Sequence, residues 1–140
     1  MERVMGLDLG SRTLGIAVSD PLGMIARTVE TFRFSDDDYE SACARAVELA
    51  KELGATKFVL GLPKHMNGDV GIRGQVSIRF KEMLEEKLPN VPVILQDERL
   101  TTAAAERILI SADVSRKKRK AVIDQMAAVQ ILQSYLDQKR

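Results

Sequence analysis

The chain has 140 residues, of which 45% are apolar and 29% charged, a balance that excludes disordered and fibrous proteins and predicts one globular domain over residues 1–140. Its single cysteine, Cys43, excludes an internal disulfide framework. Neither a signal peptide nor an apolar run long enough to cross a bilayer is visible, which predicts a cytoplasmic protein without a membrane partner.

The N-terminal third predicts an antiparallel meander of three strands, Val4–Leu9, Leu14–Ser19 and Met24–Arg33. The stretch "GSRT" joins the first two strands. The stretch "DPLG" joins the next two and is a strong turn signal, because proline stands at its second position and glycine at its fourth.

Helices and strands alternate after the meander. Capping residues at Ser35–Asp38 and Gly54 delimit a first helix, and its apolar residues recur with helical spacing. The further predicted elements are a strand Lys57–Leu62, a helix Gln75–Leu88, a strand Val91–Leu95 and two helices, Thr101–Ala112 and Lys118–Gln138. This order predicts an α/β fold with a mixed sheet of about five strands flanked by helices.

Three carboxylates stand where burial would be costly without a partner. Asp8 lies inside the first strand, and Glu98 follows an apolar strand. Asp124 is aligned on its helix with small and apolar residues, so we expect this helix to approach the sheet closely. Strand ends are where open α/β sheets usually build their sites.

Each acid also has a structural interpretation. Asp8 could cap the following turn, Glu98 could pair with Arg99 or Arg107, and Asp124 could pair with Lys120, because ion pairs also occupy such places. Taken together, three carboxylates favour a site for one or two Mg²⁺ or Mn²⁺ ions, which prefer oxygen ligands. One histidine and one cysteine cannot build a zinc site, and the loop after residue 62 lacks the ending of a phosphate-binding P-loop.

Four stretches in order, "GLDLGSRTLGIAVSD", "VLGLPKHMNG", "DERLTTAAAE" and "DQMAAVQILQSYL", resemble the YqgF family, also called RuvX-like. That bacterial family comprises candidate Holliday junction resolvases and pre-16S rRNA nucleases with an RNase H-like fold. The resemblance covers essentially the whole chain. It implies a metal-dependent nuclease that cuts structured RNA or branched DNA.

The resemblance also implies roles for individual residues. Asp8, Glu98 and Asp124 would be the catalytic acids that bind the metal, with Asp97 as an alternative to Glu98. The loop residues Gly61, Pro63 and Gly68 would contact nucleic acid. For Arg12 and Arg99, which fall on motif positions, phosphate contact is our hypothesis.

The positive charge is concentrated near the C-terminus. Residues 1–98 carry a net charge of −4 and residues 99–140 a net charge of +5, which together give +1. Much of this positive charge comes from five consecutive basic residues. They form either the solvated start of a helix or a patch that contacts phosphates. The run consists of Arg116, Lys117, Lys118, Arg119 and Lys120.

Two other functions compete with the nuclease. The fold could bind structured nucleic acid in ribosome maturation or transcription without cutting it. The first hairpin also resembles the phosphate-binding hairpin of actin-like sugar kinases, which need two such lobes, whereas 140 residues supply one. The sequence leaves monomer and homodimer open, and symmetric cutting of a junction would need two sites related by a two-fold axis.

Overall fold

The computed structural model describes residues 3–64, 67–97 and 116–138, with side chains from residue 126 onwards in the last range. The described chain forms one five-stranded sheet with helices on both faces. The strands are β1 (Arg3–Leu9), β2 (Thr13–Ser19), β3 (Ala26–Arg33), β4 (Ala55–Leu62) and β5 (Val93–Asp97). The described helices are α1 (Tyr39–Leu53), α2 (Ile72–Lys87) and α3 (Arg116–Gln138).

The strand order in the sheet is β3-β2-β1-β4-β5. The first three strands are antiparallel, whereas β4 is parallel to β1 and β5 is parallel to β4. The predicted mixed sheet with an antiparallel meander and parallel strands is therefore confirmed. Strand β1 lies at the centre and has a neighbour on each side.

The alternation of β1 divides the core into two layers. Met5, Leu7 and Leu9 pack with α1 and α2 on one face of the sheet. Val4 packs with α3 on the other face, and Gly6 faces the same helix. Since side chains alternate along a strand, Asp8 also points to the α3 face.

Helix α1 begins and ends as its sequence predicts. Asp38 is the N-cap, and its carboxylate accepts a hydrogen bond from the backbone N–H of Ser41 at 3.3 Å. Gly54 ends the helix with a φ of 70°, a left-handed conformation in which glycine is favoured. The buried residues are Ala42, Cys43, Ala46, Leu49 and Ala50, close to the predicted stripe.

Strands β3 and β5 each begin two residues after the predicted start. Strand β3 begins at Ala26, because the Asp20 carboxylate accepts hydrogen bonds from the N–H groups of Met24 and Ile25 and holds them in the turn. Both hydrogen bonds lower the pKa of the Asp20 carboxyl group, and the bond from Ile25 has the larger effect. Strand β5 begins at Val93, because Val91 instead donates its N–H to the carbonyl of Leu88.

Helix α2 begins at Ile72, three residues before the predicted start. Gly74, which the sequence analysis assigned to a loop, lies in its first turn and is buried. A Cβ at this position would lie 2.8 Å from the carbonyl oxygen of Pro63, so glycine allows the helix to begin against the loop. The predicted helix Thr101–Ala112 lies outside the described residues.

Helix α3 packs closely on the sheet, as predicted. Its buried side chains are Ala128, Ile131, Leu132, Tyr135 and Leu136. A Cβ at Gly6 would lie 2.6 Å from Cβ of Leu132 and 3.0 Å from the carbonyl oxygen of Ala128. In the part of the chain that is described, no helix is long and apolar enough to span a membrane.

Candidate functional site

One edge of the sheet collects the ends of several elements. Strands β1, β4 and β5 are parallel, so their carboxyl ends lie together. The β1–β2 turn and the end of β3 lie there too, since Leu9 pairs with Leu14 and Thr13 with Arg33. We call this the carboxyl edge.

All three described helices begin at the carboxyl edge. Helix α1 follows β3 directly, and α2 returns from the loop after β4. Helix α3 runs antiparallel to β1, because Lys57 at the other edge donates a hydrogen bond from Nζ to the hydroxyl of Tyr135 near the helix end, at 3.0 Å. Helix N-termini carry partial positive charge, so this edge favours anionic ligands.

Asp8 lies next to this edge on the face that α3 covers. It is half-buried, and it pairs with Gly15 of β2. Continuing the β1–β4 register by one residue from Leu7 and Leu60 brings Gly61 beside it on the other strand. Neither neighbouring residue carries a side chain, so Asp8 is the side chain that these three paired positions present to the α3 face.

The backbone of Asp124 lies at the level of Asp8. Ala128 contacts β1 at Gly6, and Asp124 precedes it by four residues, or about 6 Å of helix. Asp8 follows Gly6 by two residues, or about 6.6 Å of strand, in the same direction. The side chain of Asp124 lies outside the described part, but its helix position is on the line of Ala128, Ile131 and Tyr135, which face the sheet.

Strand β5 ends at Asp97 and determines the face of the sheet to which that carboxylate belongs. Asp97 pairs with Leu62 and follows the alternation of Val93 and Leu95, which face α1 and α2. Its carboxylate lies 3.8 Å from Nζ of Lys64. Asp97 therefore points away from the Asp8 face, whereas Ile94 and Gln96 lie on it. Glu98 is outside the described residues.

The three predicted loop residues follow one another along the chain from the end of β4 towards α2. Gly61 lies in β4 beside Asp8, and Pro63 follows the end of that strand. Gly68 has a φ of 95°, in the region where L side chains are strained. Gly61 is therefore part of β4, whereas Pro63 and Gly68 lie between β4 and α2.

Among the predicted phosphate-binding residues, the structure describes the side chain of Arg12 and only the backbone of residues 116–120. Arg12 lies in the β1–β2 turn and forms a bidentate pair with Asp36, at 2.6 and 3.1 Å. The side chains are 73% and 61% exposed, and the hydrogen bond raises the pKa of Arg12 and lowers that of Asp36. Arg99 lies outside the described residues. The basic run 116–120 forms the first turns of α3, and its side chains are not described.

A further basic residue, which was not predicted as a site residue, lies at the carboxyl edge. Arg73, in the first turn of α2, donates from Nη2 to the carbonyl oxygen of Leu9 at 3.4 Å and from Nη1 to the hydroxyl of Tyr39 at 3.2 Å. Leu9 directly follows Asp8. No motif signalled Arg73, because its position depends on the early start of α2.

The described side chains contain no cluster of three His, Cys, Asp or Glu residues that could hold a metal. Glu98 and the Asp124 side chain lie outside that set, so the described part of the site is Asp8 and its glycine neighbours. Cys43 belongs to the core on the other face, where burial raises the pKa of its thiol to about 11. It therefore offers no thiolate to a metal.

The family model RuvX, described as Holliday junction resolvase, matches residues 2–138. The chain belongs to the RuvX family. A Bacillus licheniformis protein named as a candidate pre-16S rRNA nuclease is 57% identical over 135 residues, which are 96% of each chain. This RuvX chain therefore matches its bacterial relatives over nearly their full length.

Solved structures share the fold at low sequence identity. RuvC of T. thermophilus, solved with a Holliday junction substrate, superposes with a TM-score of 0.61 at 15% identity, over 99% of this chain and 96% of that one. The ROK hexokinase of Thermus thermophilus gives a TM-score of 0.50 at 22% identity, over 74% of this chain but 38% of the hexokinase. The RuvX chain has the resolvase fold and spans less than half of the kinase.

Proposed function

We propose that this RuvX-family chain is one metal-dependent nuclease domain over residues 1–140, which cuts phosphodiester bonds of structured nucleic acid. The observation that carries the proposal is the position of Asp8. It lies on the central strand, beside two glycines and opposite the N-terminal half of α3.

The donor set fits Mg²⁺ or Mn²⁺. Asp8, Glu98 and Asp124 offer only carboxylate oxygens, which these ions prefer, and one or two ions could be held. The glycines beside Asp8 would leave space for the ion and for a phosphate of the nucleic acid. When bound, such an ion stabilises the charge that develops on the phosphodiester and lowers the pKa of a water molecule.

The protein residues have separate tasks in this proposal. The central strand and α3 would position Asp8 and Asp124, because Val4 of that strand and the second half of α3 pack together in the core. Phosphates of the substrate would be contacted by the run Arg116–Lys120 and by Arg12 and Arg99. The nucleic-acid strand that is cut would be contacted by the loop residues Gly61, Pro63 and Gly68. The N-termini of the three helices favour the anionic substrate at the same edge.

The substrate proposed first is the precursor of 16S rRNA, in ribosome biogenesis in the bacterial cytoplasm. It is supported by the full-length similarity to proteins with that name. A Holliday junction is the other substrate, supported by the description of the family. Junction resolution would further require a homodimer, since two cuts need two sites, whereas a monomer suffices for rRNA.

Cleavage of both substrates under three metal conditions tests the proposal. We expect products from the pre-16S rRNA with Mg²⁺ or Mn²⁺, fewer from a four-way DNA junction, and none with EDTA. The reason is that the carboxylate site acts through its ion. Binding of both substrates without any metal-dependent product would contradict the nuclease and support the binding module instead.

A further inference from the structure

We propose that Arg73 is a substrate-binding residue of this site and contacts a phosphate next to the bond that is cut. The proposal rests on the nuclease function proposed above and adds a residue that the family motifs did not indicate. Three features of the described structure carry it: the position of the guanidinium, its hydrogen-bond partners and the absence of a carboxylate paired with it.

The guanidinium of Arg73 contacts the backbone of β1. Its Nη2 lies 3.4 Å from the carbonyl oxygen of Leu9, the residue after Asp8. Gly74 anchors the first turn of α2 by fitting against the carbonyl of Pro63. The helix therefore holds the guanidinium at the carboxyl end of β1, while the Asp8 carboxylate lies on the other face of the same strand end.

The hydrogen-bond partners of Arg73 leave its charge available. Leu9 and Tyr39 both accept through neutral oxygens, and the Tyr39 hydroxyl in turn donates to the carboxylate of Asp37 at 2.9 Å. A guanidinium has five N–H donors, so several remain for a ligand. Planar, bidentate binding of phosphate is the interaction to which this group is best suited.

Another arginine shows what a neutralised guanidinium looks like in this protein. Arg45 pairs with Glu30 at 2.7 and 2.9 Å and also with Glu48. By contrast, within residues 3–64, 67–97 and 126–138 no carboxylate forms an ion pair with Arg73.

Arg73→Gln tests the proposal, with Arg79→Gln as the matched control. Both arginines are exposed residues of α2, and six residues, or about 9 Å of helix, separate them. Dissociation constants for the pre-16S rRNA and the four-way DNA junction would be measured in EDTA between about 50 and 200 mM salt.

We expect Arg73→Gln to weaken binding about tenfold, as for the loss of one charge-assisted hydrogen bond. A plot of the logarithm of the association constant against the logarithm of the salt concentration has a negative slope. The steepness of that slope should decrease by about 0.9, the value for one phosphate contact. Arg73→Lys should restore the slope, since it keeps the charge. A purely structural role would instead lower Tm in both Arg73 variants and leave the slope unchanged.

Two results separate this proposal from the nuclease function. If the wild type cuts in Mg²⁺ but Arg73→Gln has the same salt slope as Arg79→Gln, the role of Arg73 is overturned and the nuclease stands. If the wild type binds but does not cut, the nuclease fails, and a lower slope in Arg73→Gln alone still supports the phosphate contact.

Discussion

Asp8→Asn is expected to reduce Mg²⁺-dependent cleavage by at least about 100-fold while changing nucleic-acid affinity little. Groups that only support metal ligands are worth 10- to 100-fold, so the loss of a ligand itself sets this lower bound. Affinity should remain because the substitution leaves every basic side chain and all three helix N-termini unchanged. Rates and dissociation constants would be measured on the same pre-16S rRNA.

Asp20→Asn is the control for this substitution. It removes the same charge at the opposite edge of the sheet, where the Asp20 carboxylate binds the N–H groups of Met24 and Ile25. We expect its cleavage rate to stay near that of the wild type. Near wild-type cleavage by Asp8→Asn would remove Asp8 from the site, whereas an equal loss in both variants would indicate an effect of folding.

Gly6→Val is expected to lower both stability and cleavage. Even the first atom of the new side chain would lie 2.6 Å from Cβ of Leu132, and neither β1 nor α3 can yield without disturbing the core. Overpacking of this kind costs about 1–3 kcal/mol and occasionally more, and we expect the upper part of that range. Denaturant unfolding would measure the change.

The loss of cleavage has a geometric cause. Helix α3 carries Asp124, so a helix pushed away from Gly6 also moves that residue away from Asp8. Gly54→Ala is the control, because a Cβ there would meet nothing within 4 Å and only the left-handed backbone is strained, at about 1–2 kcal/mol. It should retain cleavage at temperatures where it is folded. A Gly6→Val protein as stable as the wild type would contradict the close packing of α3.

The sequence predicted the fold where local signals were strong. Asp38 and Gly54 marked the ends of α1, and the alternation of β1 showed that Asp8 was out of place among apolar residues. Boundaries were wrong where tertiary contacts decide them. Helix α2 begins early because Gly74 fits against Pro63, and β5 begins late because Val91 bonds to Leu88. Such contacts join residues whose proximity no local pattern reveals.

The candidate site was predicted only in part for the same reason. A single carboxylate in an apolar strand is visible in a sequence, but its neighbours across the sheet are not. The register that brings Gly15 and Gly61 beside Asp8 depends on strand pairing, and the position of Arg73 depends on the folded path of α2. The choice between Asp97 and Glu98 likewise depends on the face of β5 to which Asp97 belongs.

The most direct test of the proposed metal site is a titration with Mn²⁺ in which electron paramagnetic resonance measures how much of the ion is bound. Asp8→Asn, Glu98→Gln and Asp124→Asn should each weaken Mn²⁺ binding by at least about tenfold. Asp97→Asn removes a carboxylate that faces the other side of the sheet, so it should leave the binding near that of the wild type. Unchanged binding in Asp8→Asn, or a loss in Asp97→Asn as large as in Asp8→Asn, would contradict a site built from Asp8, Glu98 and Asp124.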